Sequence, residues 1–169
     1  MLELFILANL MLGPCYGYEI KKTLKGMSVN NNTLYPWLRS LESHGYVTME
    51  QQIQDGKPPR KVYSITESGK QHLFELINDF DVIKASSNDE FYIRVAFFQF
   101  LPVESVAAIL DAREAALGSY SNKGRVSAFL DNFPDKSYDL LYLHNFANSQ
   151  INGEKKFVKS LREKYGISK

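Results

Sequence analysis

The chain has 169 residues and a net charge of +1, from 20 Lys and Arg against 19 Asp and Glu. This length fits one domain or two small ones, and the charge excludes a polycation that binds nucleic acid through its overall charge alone. The single cysteine, Cys15, excludes an internal disulfide and a cysteine-rich zinc site, and it fits a reducing, cytoplasmic compartment.

Two short helices are predicted first. Residues 2–12 are apolar nearly all round and end at a Gly-Pro pair, which indicates a buried helix. The run is too short to span a membrane and has no basic leader. Residues 16–24 follow as a second helix, in which Ile20 and Leu24 face inward at a spacing of four residues.

The third predicted helix is the most informative stretch of the chain. Leucines at spacings of four and three residues share its buried face: Leu34, Leu38 and Leu41. Tyr35 and Arg39 lie on another face. Because proline has no N–H to donate, Pro36 is expected in the first turn, with Thr33 as the N-cap and Gly45 at the C-terminal stop. A short helix held by leucines and presenting Tyr and Arg outward is suited to reading a DNA groove.

A β-hairpin is predicted next. Residues 46–53 and 61–65 are β-rich, and a Gly/Pro/basic turn at 55–59 separates them. Three short helices followed by a hairpin with a basic tip is the order of a winged helix-turn-helix. Thr66 is the predicted cap of a fourth helix that extends to about residue 84 and includes Phe80 in its apolar stripe.

The second half is predicted to be all-helical, so the chain as a whole is mainly α, with the wing adding a small β component. A polar break at 85–89 places the boundary between a winged domain, 1–85, and a helical dimerisation domain, 86–169. A long helix after Pro102 has a heptad-like seam with Arg113 at its missing step. The seam residues are Val103, Val106, Leu110, Leu117 and Tyr120.

The last helix is predicted over residues 136–165, after a break at 133–135. Its expected inner side is rich in aromatic residues: Tyr138, Leu141, Tyr142, Phe146, Phe157, Leu161 and Tyr165. This half is more apolar than one short helical layer can hide, so a homodimer is expected.

The N-terminal region resembles the PadR family of bacterial transcriptional regulators. Four segments over about eighty residues carry the resemblance, in the family's order. They are Leu12-Gly13-Pro14 with Tyr16-Gly17-Tyr18-Glu19-Ile20, Asn32-Thr33-Leu34-Tyr35-Pro36, Leu41-Glu42 with Gly45-Tyr46-Val47, and Gly56-Lys57-Pro58-Pro59-Arg60-Lys61-Val62-Tyr63 running into Thr66-Glu67-Ser68-Gly69. Asn32 stands where the family usually has Gly, and Lys57 and Pro59 replace some of the Arg usual at the wing tip.

The resemblance implies a DNA-binding transcriptional regulator, a repressor that binds a pseudo-palindromic operator as a homodimer and is released by a small phenolic or drug-like effector. The local charge agrees with a DNA-binding surface. Residues 18–61 contain seven basic and four acidic side chains, a local excess of three. The expected DNA-binding residues are Tyr18, Lys21, Lys22, Asn32, Thr33, Tyr35, Pro36, Arg39, Lys57, Arg60 and Lys61.

Each expected contact has a role. Arg39 is the candidate for bidentate contact to guanine in the major groove. Thr33 and Tyr35 are expected to hydrogen-bond phosphates. Lys21 and Lys22 would hold the DNA backbone, and residues 57–61 would reach an adjacent groove.

Several alternatives stay open at this stage. Tyr18 fits the core as well as a phosphate contact, and Trp37 fits packing better than stacking on a base. Arg94 is a candidate for pairing with an effector carboxylate, against the alternative of a buried ion pair. The three histidines form no metal-ligand spacing with Cys15, and no catalytic set is visible, so neither a metal site nor an enzyme is expected. The competing function is a winged protein–protein interaction module without sequence-specific DNA binding.

Overall fold

The computed structural model describes residues 1–25, 29–54, 57–123 and 138–168, without the side chains of residues 54, 57, 58, 120–123, 138–141, 143 and 144. The chain divides into two units, Met1–Asp79 and Phe80–Lys169. The division falls a few residues before the boundary placed after residue 85 from the sequence. The elements of the first unit are α1 Leu2–Met11, β1 Cys15–Tyr16, α2 Gly17–Thr23, α3 Asn31–Ser43, β2 Val47–Gln54, β3 Lys57–Ile65 and α4 Glu67–Asn78.

Helix α1 forms the centre of the first unit. Leu4, Ile6, Leu7 and Leu10 are each at most 3% exposed, and the helix packs against α2, α4 and β3. A helix that is apolar on nearly all sides is stable only when neighbours cover most of them. The prediction of a buried helix is therefore confirmed. Within the described ranges, no helix has the length and apolar character that a membrane span requires.

Helix α3 begins three residues earlier than its proline suggested. Asn30, not Thr33, is the N-cap, and its side chain accepts a hydrogen bond from the Thr33 N–H at 3.1 Å. The prediction that Thr33 caps the helix was wrong, because Asn is at least as good a cap and the helix tolerates Pro36 beyond its first turn. Pro36 cannot donate to the Asn32 carbonyl, but both residues are exposed, so water can replace the missing donor.

The end of α3 is as expected. His44 is the C-cap residue, and Gly45 follows it with φ +75°. The Gly45 N–H donates to the Glu42 carbonyl and the Tyr46 N–H donates to the Leu41 carbonyl, both at 2.9 Å. These bonds satisfy the last carbonyls of the helix in a left-handed turn that glycine adopts without strain.

The sheet has three antiparallel strands in the order β1-β3-β2. Strand β1 was not predicted, because its two residues carry no periodic pattern. Strand β3 begins at Lys57 rather than at residue 61, so residues 57–59 belong to a strand and not to the predicted turn. The pairing register shifts between Gln52 and Gln54, opposite these residues, and such an irregularity is where a strand accommodates proline. Residues 55 and 56 of the predicted turn lie outside the described residues.

Helix α4 is capped by Thr66 as predicted, since the Thr66 hydroxyl accepts from the Gly69 N–H at 3.0 Å. The helix ends at Asn78, however, and does not reach residue 84. Asp81 caps a separate short helix, α5 Val82–Ala85, by accepting from the Lys84 N–H at 2.8 Å. A second cap competes with continuation of the first helix, and it leaves Phe80 outside the α4 stripe.

The second unit contains α5, α6 Asn88–Val95, a 3₁₀ turn Phe98–Phe100, α7 Val103–Lys123 and α8 Tyr138–Tyr165. The predicted seam of α7 is buried at Val106, Leu110 and Leu117, but Val103 is 49% exposed. Arg113, at the missing step, is 1% exposed and donates to the Ala85 carbonyl at 2.5 Å, to Asn88 and to the Glu154 carboxylate at 3.2 Å. This side chain therefore connects α7 to α5, α6 and α8.

The predicted inner face of α8 is only partly buried. Leu161 is 7% exposed, whereas Phe157, Phe146 and Tyr142 are 39%, 56% and 70% exposed. The expected inner side of α8 is therefore open to solvent at these three rings in the single chain, where α7 has 21 residues and α8 has 28. The break predicted at 133–135 and the start of the helix at 136 lie outside the described residues.

Candidate nucleic-acid interface

Helix α2 presents a polar, basic side to solvent. Ile20 and Leu24 are buried as predicted, at 0% and 2% exposure. On the other side, Tyr18 is 72% exposed, Lys22 is exposed and Lys21 is half-buried. The alternative that Tyr18 belongs to the core is therefore wrong.

Helix α3 separates a buried face from an outward face. Its three leucines are at most 1% exposed. The outward face carries the exposed residues Asn32, Thr33, Pro36, Trp37, Arg39 and Ser40. Asn32, which stands where the family usually has Gly, has a helical backbone inside α3. Among the residues that the structure describes, no carboxylate lies within 4.0 Å of the Arg39 guanidinium, which leaves that group available to a partner.

Tyr35 is a packing residue as well as a candidate contact. A Cβ on Gly17 would lie 3.0 Å from Tyr35 Cε1 and 3.3 Å from its hydroxyl oxygen, so glycine is what allows α3 to approach the start of α2 this closely. The pKa of the neighbouring Tyr63 hydroxyl is raised by burial and by Tyr35 and Glu42, and Arg39 lowers it. The hydroxyl of Tyr35 thus lies where α2, α3 and β3 meet.

The base of the wing adds two basic side chains next to these helices. Arg60 and Lys61 are exposed on β3. The Arg60 guanidinium lies over the Tyr16 ring, 5.5 Å from its centroid, and the Tyr16 hydroxyl donates to Gln52 Oε1 at 2.8 Å. Lys57 lies on β3, but its side chain is outside the described residues.

A surface cleft of about 710 Å³ joins these elements. Its lining residues come from β1, from the start of α2, from α3 and from β3: Tyr16, Gly17, Tyr18, Glu19, Tyr35, Pro59, Arg60 and Lys61. Glu19 is the acidic member, and it accepts from the Tyr16 N–H at 2.8 Å as part of the α2 cap. The structure therefore brings Tyr18, Tyr35, Arg60 and Lys61 to one cleft, with the exposed face of α3 extending from Tyr35.

Sequence reasoning missed three residues of this surface. Asn30 caps α3, and an asparagine three residues before Thr33 is a signal that could have identified it. Tyr16 and Gln52 support the wing through side-chain contacts. No sequence signal identifies them, because a two-residue strand has no detectable period.

Arg94, the candidate effector residue, lies in the second unit. It is 2% exposed, its Nη1 lies 2.5 Å from Glu90 Oε2, and its guanidinium lies over the Phe80 ring at 4.4 Å. This is the buried ion pair that was the alternative from the sequence. Among the described residues, no group of three or more metal-binding side chains is present.

Comparisons with known proteins found relatives by sequence. The model of the transcriptional regulator PadR-like family matches residues 6–75. The negative transcriptional regulator PadR of Bacillus subtilis (strain 168) is 30% identical over 132 residues, which are 70% of this chain and 72% of that protein.

Solved structures are similar too. The structure of Bacillus subtilis PadR in complex with operator DNA is 25% identical, covers 98% of each chain and gives a TM-score of 0.47. A PadR family transcription regulator from Clostridium difficile R20291 is 28% identical, covers 60% of this chain and 98% of its own, and gives a TM-score of 0.40.

Proposed function

Because this chain belongs to the PadR-like family of transcriptional regulators, which are not enzymes, we propose that it binds double-stranded DNA and represses transcription in the bacterial cytoplasm. The observation that carries the proposal is the outward face of α3. Arg39 and Thr33 are exposed there above a row of fully buried leucines, and the cleft at Tyr35 continues this face to the wing. Because the buried leucines hold the helix on the domain, its outward face can enter the major groove without disturbing the packing of the leucines.

Arg39 is the proposed base-reading residue, since a guanidinium can bond both acceptors on the major-groove edge of guanine. Thr33 is proposed to bind phosphate through its hydroxyl, whose single proton is donated to Asn30 Oδ1 at 3.2 Å and would turn to a phosphate oxygen when DNA binds. Asn32 and Pro36 would lie against the groove wall beside it.

The surrounding residues are proposed to hold the DNA backbone. The exposed phenol of Tyr18 and the amines of Lys21 and Lys22 would contact phosphates at one side of α3. Lys57, Arg60 and Lys61 would contact the neighbouring groove from the wing. Contacts of this kind fix the register of the protein on DNA and make its affinity dependent on salt.

We also propose a homodimer that reads a pseudo-palindrome. One winged domain makes few base contacts, and a two-fold axis doubles them. The exposed rings of Tyr142 and Phe146 on α8 form apolar surface of the kind that a second copy would cover. Release by a small aromatic effector through Arg94 stays a prediction, and a ligand carboxylate would have to replace Glu90 in its buried pair.

The proposal is tested by titrating a fluorescent duplex with the full-length chain at several salt concentrations. Binding is expected to weaken steeply as salt rises. Arg39→Ala should weaken binding to the best duplex by about 5- to 150-fold, the loss of one bidentate base contact. Lys70→Ala is the matched control, because it removes a positive charge from the same unit at a residue that Glu67 already pairs at 2.6 Å.

Two results would count against the proposal. An Arg39→Ala chain that binds its best duplex as tightly as the wild type would exclude α3 as the recognition helix. A chain that binds no duplex even at low salt would favour the protein–protein interaction module.

A further inference from the structure

Tyr16 connects the edge strand β1 to both strands of the wing. Its backbone pairs with Val62 of β3, its hydroxyl donates to Gln52 of β2, and its ring lies under the Arg60 guanidinium. Gln52 and Arg60 are themselves partners in the β2–β3 register. One side chain therefore contacts both members of a cross-strand pair.

Tyr16 is itself held in place by α2. It is the N-cap residue of that helix, and its N–H donates to Glu19 Oε2 at 2.8 Å. The next residue, Gly17, is buried against Tyr35 of α3. The ring under Arg60 is thus anchored to the two helices that carry the rest of the proposed DNA surface.

The described residues of β2 beside Gln52 lie in solvent. Gln51, Gln52 and Ile53 are exposed on β2, Ile53 by 89%, and the register shift follows directly after the Gln52–Arg60 pair. A two-stranded ribbon without packing is marginally stable in water and its direction is poorly fixed. The Tyr16 contacts lie where the wing leaves the body of the domain.

We propose that Tyr16 is a positioning residue for the wing, which orients Arg60 toward the DNA backbone before binding. The proposal rests on the DNA-binding function proposed above and assigns to it a residue that does not itself need to touch DNA. A stacked guanidinium has less conformational freedom to lose when it contacts phosphate. Tyr16 would therefore strengthen binding only through Arg60.

A double-mutant cycle tests this dependence. Wild type, Tyr16→Leu, Arg60→Ala and the double variant are titrated as full-length chains against a short fluorescein-labelled duplex of mixed sequence, at fixed low salt. Tyr16→Leu should weaken binding by about two- to tenfold, the ordering cost of one long side chain. In the Arg60→Ala background, the same substitution should change binding by less than about twofold.

Conservative variants keep the test decisive. Tyr16→Phe retains the ring under Arg60 and should bind within about twofold of the wild type. If thermal melting shows that Tyr16→Leu has lost its fold, Tyr16→Met takes its place in the cycle, since it also lacks a ring but its unbranched side chain adapts better to an irregular gap. Without DNA, the Arg60 side-chain protons should show an upfield ring-current shift in the NMR spectrum that Tyr16→Leu or Tyr16→Met abolishes.

The outcomes separate the two proposals. If Tyr16→Leu weakens binding equally with and without Arg60, Tyr16 has a general structural role and the positioning role is overturned. An unaffected affinity, or no ring-current shift in the wild type, overturns it as well. In each of these cases the wild type still binds DNA and the proposed function stands, whereas a wild type that binds no duplex overturns both.

Discussion

Gly69 lies where helix α4 passes close to the backbone of Tyr46, the residue before β2. A Cβ at this position would lie 2.0 Å from the Tyr46 carbonyl oxygen and 2.9 Å from both the Tyr46 carbonyl carbon and Ile65 Cγ1. The carbonyl cannot move freely, because it accepts the Thr66 N–H at 3.0 Å. Replacement by alanine must therefore displace α4 or the Tyr46 peptide.

The expected cost of Gly69→Ala follows from these contacts. Overpacking a tight site costs about 1–3 kcal/mol, and weakening the hydrogen bond from Thr66 to Tyr46 costs about 1 kcal/mol more. The helix regains roughly 0.5–1 kcal/mol from the better propensity of alanine. We expect a net loss of about 1–3.5 kcal/mol in the free energy of unfolding of the winged unit, which lowers its melting temperature by roughly 4–28 °C.

Thermal and urea unfolding of the full-length chain, followed by circular dichroism, measures this loss. Gln71→Ala is the matched control, because Gln71 lies on the same helix and is exposed. Its free energy of unfolding should stay within about 0.5 kcal/mol of the wild type. A Gly69→Ala chain that melts with the control would refute the close approach of α4 to the Tyr46 backbone.

Three further predictions concern other residues. Asn30→Ala should lower the free energy of unfolding in urea by about 1 kcal/mol, because it removes the cap of α3. An unchanged free energy of unfolding would contradict Asn30 as the start of the helix. Arg94→Ala should destabilise the chain by about 3–5 kcal/mol in urea unfolding, because it leaves the buried Glu90 carboxylate without its partner. The double variant Glu90→Leu/Arg94→Met should recover most of this loss, and equal stability of the single and double variants would contradict the buried pair. Burial, and then the charge of Glu19, raises the pKa of Cys15 from 9.0 to about 11. Its alkylation in the native chain should therefore be slow at pH 8 and rise only toward pH 11, and its contribution to stability is present below pH 9 and lost as the pH rises through the native pKa. Equal alkylation rates in native and urea-unfolded chain at pH 8 would contradict this shift.

The sequence predicts those parts of the winged unit that depend on local signals. The leucine spacing of α3 identified its buried face, and Gly45 identified its end. Thr66 identified the start of α4. Each of these signals acts within one or two helical turns, so the rest of the fold does not alter it.

The errors arise where two local signals compete. Pro36 suggested a late start for α3, but Asn30 offers a cap one turn earlier and the exposed helix tolerates the proline. The apolar stripe of α4 suggested a long helix, but Asp81 caps a new one. In α3 the position of a cap outweighed the proline, and in α4 a new cap outweighed the apolar periodicity.

The residue types of the candidate site were predictable from the sequence, but the contacts that hold them in position were less so. Exposure of Arg39, Arg60 and Lys61 follows from their places on amphipathic elements, whereas the sequence left the exposure of Tyr18 open. The contacts of Tyr16 with the wing depend on the pairing of residues far apart in sequence, which no short-range pattern contains. The surroundings of the exposed rings of α8 are likewise not contained in a short-range pattern, because the burial of these rings would depend on a second chain.

Selection of bound sequences from a pool of random duplexes, with the full-length chain, tests the central claim most directly. The account predicts that the recovered duplexes share a pseudo-palindrome whose half-sites lie about one helical turn of DNA apart or a multiple of it, and that Arg39→Ala relaxes the preference for guanine in each half-site. Recovery of duplexes with no shared sequence, or with a single unrepeated half-site, would contradict a dimeric, sequence-reading regulator.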